Sequence, residues 1–269
     1  MAFIIAELGV NHRGSVQIAY NLIDAAADAG ADAVKFQTFC AVLLDPPGPQ
    51  RDMLEALQFP LSVYADLRTR TEERGLLFLS TPFDPDSLRF LVELGVKRIK
   101  IASGQLENWP LLHAAKATGL PVLLSTGMSN YAQIAGAFAL LGASRTTLLH
   151  CTSAYPCPPE DVNLRAMVAL RANFGGEVGF SDHSQGIEAA IAAVALGAVV
   201  IEKHLTLDRN MDGPDHTASI EPEEFARMVR AIRTVETMMG DGIKQPRPSE
   251  AAAMAIAAER QAWRTQPVA

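Results

Sequence analysis

Cysteine is scarce: Cys40, Cys151 and Cys157 are the three in 269 residues, and no two have C-x-x-C spacing. That excludes a disulfide framework and a structural zinc site, and it fits a reduced, cytoplasmic setting. Long apolar runs are also missing. The N-terminus, MAFIIAELGVNH, has no basic lead and its apolar run stops at Glu7, too short for a signal peptide or a membrane span. Positive charge is in deficit, 23 Lys and Arg against 30 Asp and Glu, so nothing draws the chain as a whole to nucleic acid or an anionic membrane. An anionic ligand must then be held by a local basic site. Neither GxGxxG nor GxxxxGK[ST] occurs, which speaks against a dinucleotide or ATP enzyme. Ser125 lacks the nucleophile-elbow context of a hydrolase triad.

What is present is a 49% hydrophobic, 20% charged chain able to bury a full-sized core. Short β-branched runs alternate with segments of helical period, the pattern of a parallel sheet with crossover helices. Strands are expected at 3–8, 33–37, 76–80, 98–101, 121–125, 146–150, 177–180 and 199–204, with helices between them and a last one at 222–239. Gly30, Gly75, Gly95, Gly119, Gly142, Gly175 and Gly197 each fall between a helix and the next strand, where a left-handed residue ends a helix. Seven junctions linking eight βα units favour a (β/α)8 TIM barrel of typical size, about 250 residues, over an open eight-stranded sheet. Residues 1–243 read as the barrel. Residues 244–269 read as a Pro-rich linker and short C-terminal tail, with Ala251–Trp263 as a short helix and no second domain.

In such a barrel the chemistry sits where strands end. Those ends carry Glu7 and Asn11–His12, Lys35 and Gln37, Ser80–Thr81, Lys100 and Ser103, Ser125–Thr126, His150 with Thr152, Ser153 and Tyr155, Ser181–Asp182–His183, Glu202 and His204, and then Asp215–His216. Two lysines interleaved with hydroxyls suit a compact polyanion such as a phosphorylated carboxylate. The structural alternative pairs each lysine with an acidic residue. His183 and His204 end adjacent strands and could converge on Mn2+ or Mg2+, or each could be a hydrogen-bonded barrel residue. Glu7 ends an apolar strand, either paired with a lysine or kept for proton transfer. His12 and His216 either touch a ligand or anchor loops.

The segments IAELGVNHRGS, GADAVKFQTF, FLSTPFD, KIASGQ, LSTGM, LHCTSAYPCPPEDVNLRAM, GFSDHSQGIEAA and VIEKHLTLDRNMDGPDHTAS resemble, in order and spacing, the N-acetylneuraminate (sialic acid) synthase family, from about residue 3 to residue 250. The resemblance implies a (β/α)8 barrel followed by an antifreeze-like domain. It also implies condensation of phosphoenolpyruvate with an N-acetylated hexosamine, N-acetylmannosamine or a relative, to a nonulosonic acid and phosphate. Carried over by motif, Lys35, Thr81, Lys100, Ser103, Ser125 and Ser181 form the phosphoenolpyruvate site, and His183 and His204 hold Mn2+ or Mg2+. Glu7 is the general acid/base, with Lys100 and Asp215 also catalytic, while Gln37, Tyr155 and Asp215 face the sugar.

Three departures fall on the acceptor side. The chain ends about where the antifreeze-like domain would begin, and in family dimers that domain reaches an arginine into the partner's sugar site. The resemblance therefore leaves two expectations, a homodimer or a separate protein supplying the domain. Gln105 stands where the family has Glu, Ser153 where it often has Asn, and the loop at 40–60 is shorter. Rival readings are a synthase of 3-deoxy-ulosonic acids using another aldose, and a non-catalytic barrel subunit that keeps the donor pocket. Retention of Glu7, both lysines and both histidines argues against the second.

Overall fold

The structure, a computed structural model, describes residues 1–264. Eight strands, β1 (Phe3–Gly9), β2 (Ala33–Thr38), β3 (Leu77–Pro82), β4 (Ile99–Ile101), β5 (Val122–Ser125), β6 (Thr146–His150), β7 (Val178–Asp182) and β8 (Val200–His204), alternate with helices. These are α1 (Val16–Asp28), α2 (Ala41–Leu44), α3 (Pro49–Leu57), α4 (Val63–Glu73), α5 (Pro85–Leu94), α6 (Trp109–Thr118), α7 (Tyr131–Leu141), α8 (Leu164–Phe174), α9 (Glu188–Ala195) and α10 (Pro222–Met239).

Every ladder is parallel, in the order β3-β2-β1-β8-β7-β6-β5-β4, and β3 packs beside β4 at the seam without a ladder. A sheet in which β1 lies between β2 and β8, with all neighbours sequential, is a (β/α)8 barrel and not the open sheet. The described chain divides into one compact unit at Met1–Glu236 and a second that begins at Thr237. Within the second, α11 (Ala251–Arg264) is helical as the Ala-rich sequence predicts; residues 265–269 of the expected tail lie outside the described residues. No described helix is long and apolar enough to cross a membrane.

Strand alternation builds the site in layers. Side chains two apart on a strand share a face, and inside the barrel Ile5, Ala33, Leu79, Leu123, Leu149 and Val200 form a small apolar floor. Two residues further along the same strands come Glu7, Lys35, Thr81, Ser125 and Glu202. Polar groups thus sit on a dry plug at the C-terminal ends. The larger core lies between the outer strand faces and the helices, from Ile4, Ala6 and Leu8 on β1 to Phe225, Met228 and Ile232 on α10.

Two differences from the sequence reading concern strand ends and one loop. Strands β3 and β7 run two residues beyond their expected ends, through Thr81–Pro82 and Ser181–Asp182, because a polar residue there faces the cavity instead of ending the strand. The 40–60 loop contains α2 and α3: Pro49 opens α3, and Met53, Leu54 and Leu57 pack with Val10, Phe39 and Ala41.

Loop anchoring, not ligand contact, is what His12 does. Its ring stacks on Phe59 at 3.9 Å and its Nδ1 accepts from the Gly14 amide at 3.0 Å. Burial pushes its pKa down to about 3. Below pH ~6.5 an unfolded histidine takes up a proton that this one refuses, so the stability present above that pH is lost as pH falls, by about 2 kcal/mol at pH 5. His12→Phe keeps the stack and removes the titration. In urea unfolding, its stability relative to wild type is expected to improve by about 2 kcal/mol between pH 7.5 and pH 5; an equal difference at both pH values would contradict this.

Candidate active site

A cavity of about 370 Å³ opens at the C-terminal end of the barrel, lined by Glu7, Lys35, Gln37, Thr81, Lys100, Ser103, Ser125, Tyr155, Ser181, His183, His204 and Asp215, together with Glu202, Ser153, Phe83, Ala102, Gly104 and Met128. The fold thus brings all twelve sequence-predicted site residues to one place, with Glu202 among them.

Glu202 organises the floor. Its Oε1 accepts from Ser181 Oγ at 2.9 Å and lies 3.6 Å from Lys100 Nζ, while its Oε2 lies 3.7 Å from Lys35 Nζ. Lys35 also meets Glu7 Oε2 at 2.6 Å and donates to Thr81 Oγ1 at 2.8 Å. All four charged groups are 1–4% exposed. Both lysines therefore have carboxylate partners, and Glu7 has a lysine. The Ser125 hydroxyl, by contrast, is buried with no partner, as expected of a donor turned toward a ligand.

The three carboxyls differ in acidity. Burial pushes Glu7 up to about 7, with Lys35 pulling the other way. Burial likewise raises Asp215 to about 6. Glu202 is as buried, but Lys100 and Lys35 outweigh the desolvation and hold it down at about 2. Burial would lower Lys35, yet Glu202 and Glu7 carry it above its ordinary value; Lys100 stays lowered by burial despite Glu202. The floor thus combines one fixed negative charge with a carboxyl, Glu7, poised to exchange a proton near neutrality.

Tyr155 covers one wall, its ring 4.1 Å from that of His183, and the two imidazole centroids are 5.5 Å apart. His183 Nδ1 donates to the Thr152 carbonyl at 2.7 Å, which makes Nε2 the acceptor nitrogen; it lies 3.4 Å from Ser181 Oγ, whose proton goes to Glu202. His204 Nδ1 is buried without a hydrogen-bond partner, 3.8 Å from Asp215 Oδ2. Burial lowers both pKa values, that of His204 strongly, so both rings are neutral. Two neutral imidazoles with an unanswered nitrogen fit a divalent cation. Among the described residues no three His, Cys, Asp or Glu side chains are spaced to hold a metal, so ligand and water oxygens would have to complete the shell.

Two glycines permit this crowding. A Cβ on Gly9, at φ +47, would lie 3.1 Å from both Glu7 Oε1 and Asp215 Oδ2 and 3.3 Å from Gln37 Nε2. A Cβ on Gly127 would lie 2.5 Å from Ser153 Oγ and 2.9 Å from Ser103 Oγ, and its amide donates to Ser103. Gln105, expected from the family pattern to alter the acceptor side, lies outside the lining and accepts from Asn108 Nδ2 at 2.7 Å. His216 bonds Thr206 at 2.7 Å and His150 bonds the Val162 carbonyl at 2.8 Å, so both anchor loops.

Comparison with known proteins adds three results. Residues 22–244 match the family model described as the NeuB family. The chain is 45% identical to an N,N'-diacetyllegionaminic acid synthase of Campylobacter jejuni, over 92% of this chain and 80% of that protein. It is 43% identical to a Legionella pneumophila protein of the same name, over 92% of this chain and 76% of that protein. The crystal structure of an N-acetylneuraminic acid (sialic acid) synthetase from Leptospira borgpetersenii, in complex with citrate, superposes with a TM-score of 0.90 at 37% identity, covering 98% of this chain and 93% of that one.

Glu202→Gln is expected to lower stability by about 3 kcal/mol, because it leaves two buried lysines without their shared carboxylate. Affinity for an anion should not fall, since a competitor for the lysines is gone. An unchanged thermal midpoint would show that Glu202 does not balance them.

Proposed function

The chain belongs to the NeuB family, and from that premise we propose that it condenses phosphoenolpyruvate with an N-acetylated hexose, giving a nonulosonic acid and phosphate. The chain is an enzyme of the synthase type, a transferase; the choice of substrates is the proposal. One observation carries it: two buried lysines and an unpartnered serine hydroxyl share a cavity with two neutral imidazoles.

Lys35 and Lys100 supply the positive charge for a carboxylate and a phosphate, and Thr81, Ser103, Ser125 and Ser181 supply directed donors. A divalent cation, Mn2+ or Mg2+, held by His183 and His204 would supply Lewis-acid polarisation of the sugar's aldehyde oxygen. Tyr155 and Asp215 lie beside the imidazoles and, with Gln37 in the same cavity, orient the open-chain sugar. The new bond joins C3 of the enolpyruvate to the aldehyde carbon. Water then adds at C2, and the tetrahedral product of that addition expels phosphate by C–O cleavage. Glu7, with a pKa of about 7, can give a proton to the developing alkoxide and take one from the entering water. Lys100, its ammonium lowered by burial, stabilises charge on the departing phosphate.

The acceptor reading is supported by the two relatives named for a diacetylated product, so an N-acetylated sugar, with one or two acetamido groups, is the substrate class to test. Phosphate release from phosphoenolpyruvate is expected to require both an N-acetylated hexose and Mn2+, with N-acetylmannosamine and a 2,4-diacetamido hexose as the two acceptor arms. Glu7→Gln should retain phosphoenolpyruvate binding while turnover falls at least ~100-fold. Release with an unacetylated aldose alone would instead indicate a 3-deoxy-ulosonic acid synthase. Wild-type turnover in Glu7→Gln would remove Glu7 from proton transfer.

A further inference from the structure

We propose that the buried Asp182–Lys203 ion pair is a positioning device that fixes His183 and His204 relative to each other from behind the sheet. The inference rests on the reading of those two imidazoles as the divalent-cation ligands.

Asp182 and Lys203 face each other in the β7–β8 register, as Ser181 and Glu202 do. Alternation along each strand divides their roles. Ser181, His183, Glu202 and His204 line the cavity, so Asp182 and Lys203, one residue out of phase, point to the opposite side. There both side chains are wholly inaccessible to solvent, with Lys203 Nζ 2.8 Å from Asp182 Oδ2. The same ammonium donates to the Ser184 carbonyl. Asp182 Oδ1 in turn accepts from the Ser184 amide at 2.9 Å and the Ser184 hydroxyl at 2.6 Å.

One lysine therefore grips the residue before His183 and the residue after it, while carrying His204 as its own successor in the chain. The rest of the His183 environment completes the clamp: its carbonyl accepts from the Cys157 amide at 2.9 Å, and its ring is held by the Thr152 carbonyl at 2.7 Å. Neither Asp182 nor Lys203 lines the cavity, so neither can contact the reacting atoms there. A fully buried ion pair is seldom worth keeping for stability, because well-packed apolar residues of similar volume often serve as well or better. What the pair adds is geometry: two strands tied at the one level where each carries a ligand. Partners behind a ligand commonly govern metal affinity by ten- to hundredfold.

The test is Mn2+ binding to the full chain without substrate, followed by electron paramagnetic resonance, in wild type, His183→Ala, Asp182→Asn, and Asp182→Leu combined with Lys203→Met. The double variant replaces the pair with apolar side chains of similar size. It is expected to keep its circular dichroism and its thermal midpoint within a few degrees, yet to bind Mn2+ at least ~10-fold more weakly. Asp182→Asn keeps acceptor geometry toward Ser184 but removes the charge that holds Lys203, and should fall between the two. A folded double variant with wild-type Mn2+ affinity would overturn the proposal. Should that variant not fold, wild-type affinity in Asp182→Asn would overturn it equally. If His183→Ala binds Mn2+ as wild type does, or wild type does not bind it, the ligand assignment itself is wrong and the positioning role falls with it.

Discussion

Two ammonium groups and two carboxyls cannot be buried together unless each cation finds an anion within a few ångströms. In this protein Lys35, Lys100, Glu7 and Glu202 meet that condition inside the barrel, with Glu7, Lys35 and Glu202 on one layer and Lys100 joining them from β4. The layer exists because strand periodicity stacks it directly above an apolar plug of Ile5, Ala33, Leu79, Leu123, Leu149 and Val200. Closure of the barrel brings β8 beside β1, and so places Glu202 within reach of lysines from β2 and β4. The fold's contribution to function is this enforced proximity in a poorly solvated place.

The same proximity separates the carboxyls chemically. Glu202, between two lysines, is held ionised at about 2 and acts as a permanent counter-charge. Glu7 and Asp215, where burial outweighs the nearest lysine, rise to about 7 and about 6. Environments that push neighbouring acids apart in this way divide the work between fixed charge and proton exchange. The neutral imidazoles on the adjoining wall add lone pairs without adding charge. An anion entering the cavity meets ammonium groups and hydroxyl donors, and only one obligatory negative group.

Much of this was legible in the sequence, for physical reasons. All eight strands announce themselves as short apolar runs, most of them rich in Val and Ile, between helical segments that glycines punctuate, and the polar residues at their ends are conspicuous against an apolar background. Lys35, Thr81, Ser125, His183 and His204 stand out in this way, and the fold gathers them. Glu202 stands at a strand end too, but its importance comes from its partners on β2, β4 and β7, which no single strand encodes. Lys203 reads as an ordinary charged residue until the register places it outside the barrel wall and opposite Asp182. Where Gln105 points is not fixed by its motif position: a one-turn 3-10 helix at Ser103–Gln105 turns it to Asn108. Gly9 and Gly127 are silent in sequence, since what they do is leave room for side chains that the fold gathers around them, Asp215 and Gln37 at Gly9 and Ser103 and Ser153 at Gly127.

The central claim is that Lys35 and Lys100 form an anion site for phosphoenolpyruvate. Calorimetric titration of phosphoenolpyruvate into the chain, without sugar, tests it most directly, using wild type, Lys35→Met, Lys100→Met and the exposed control Lys97→Met. The account predicts saturable binding at one site per chain, weakened at least ~10-fold by either cavity variant and unchanged by the control. Equal affinity in all four proteins would place the anion elsewhere and contradict it.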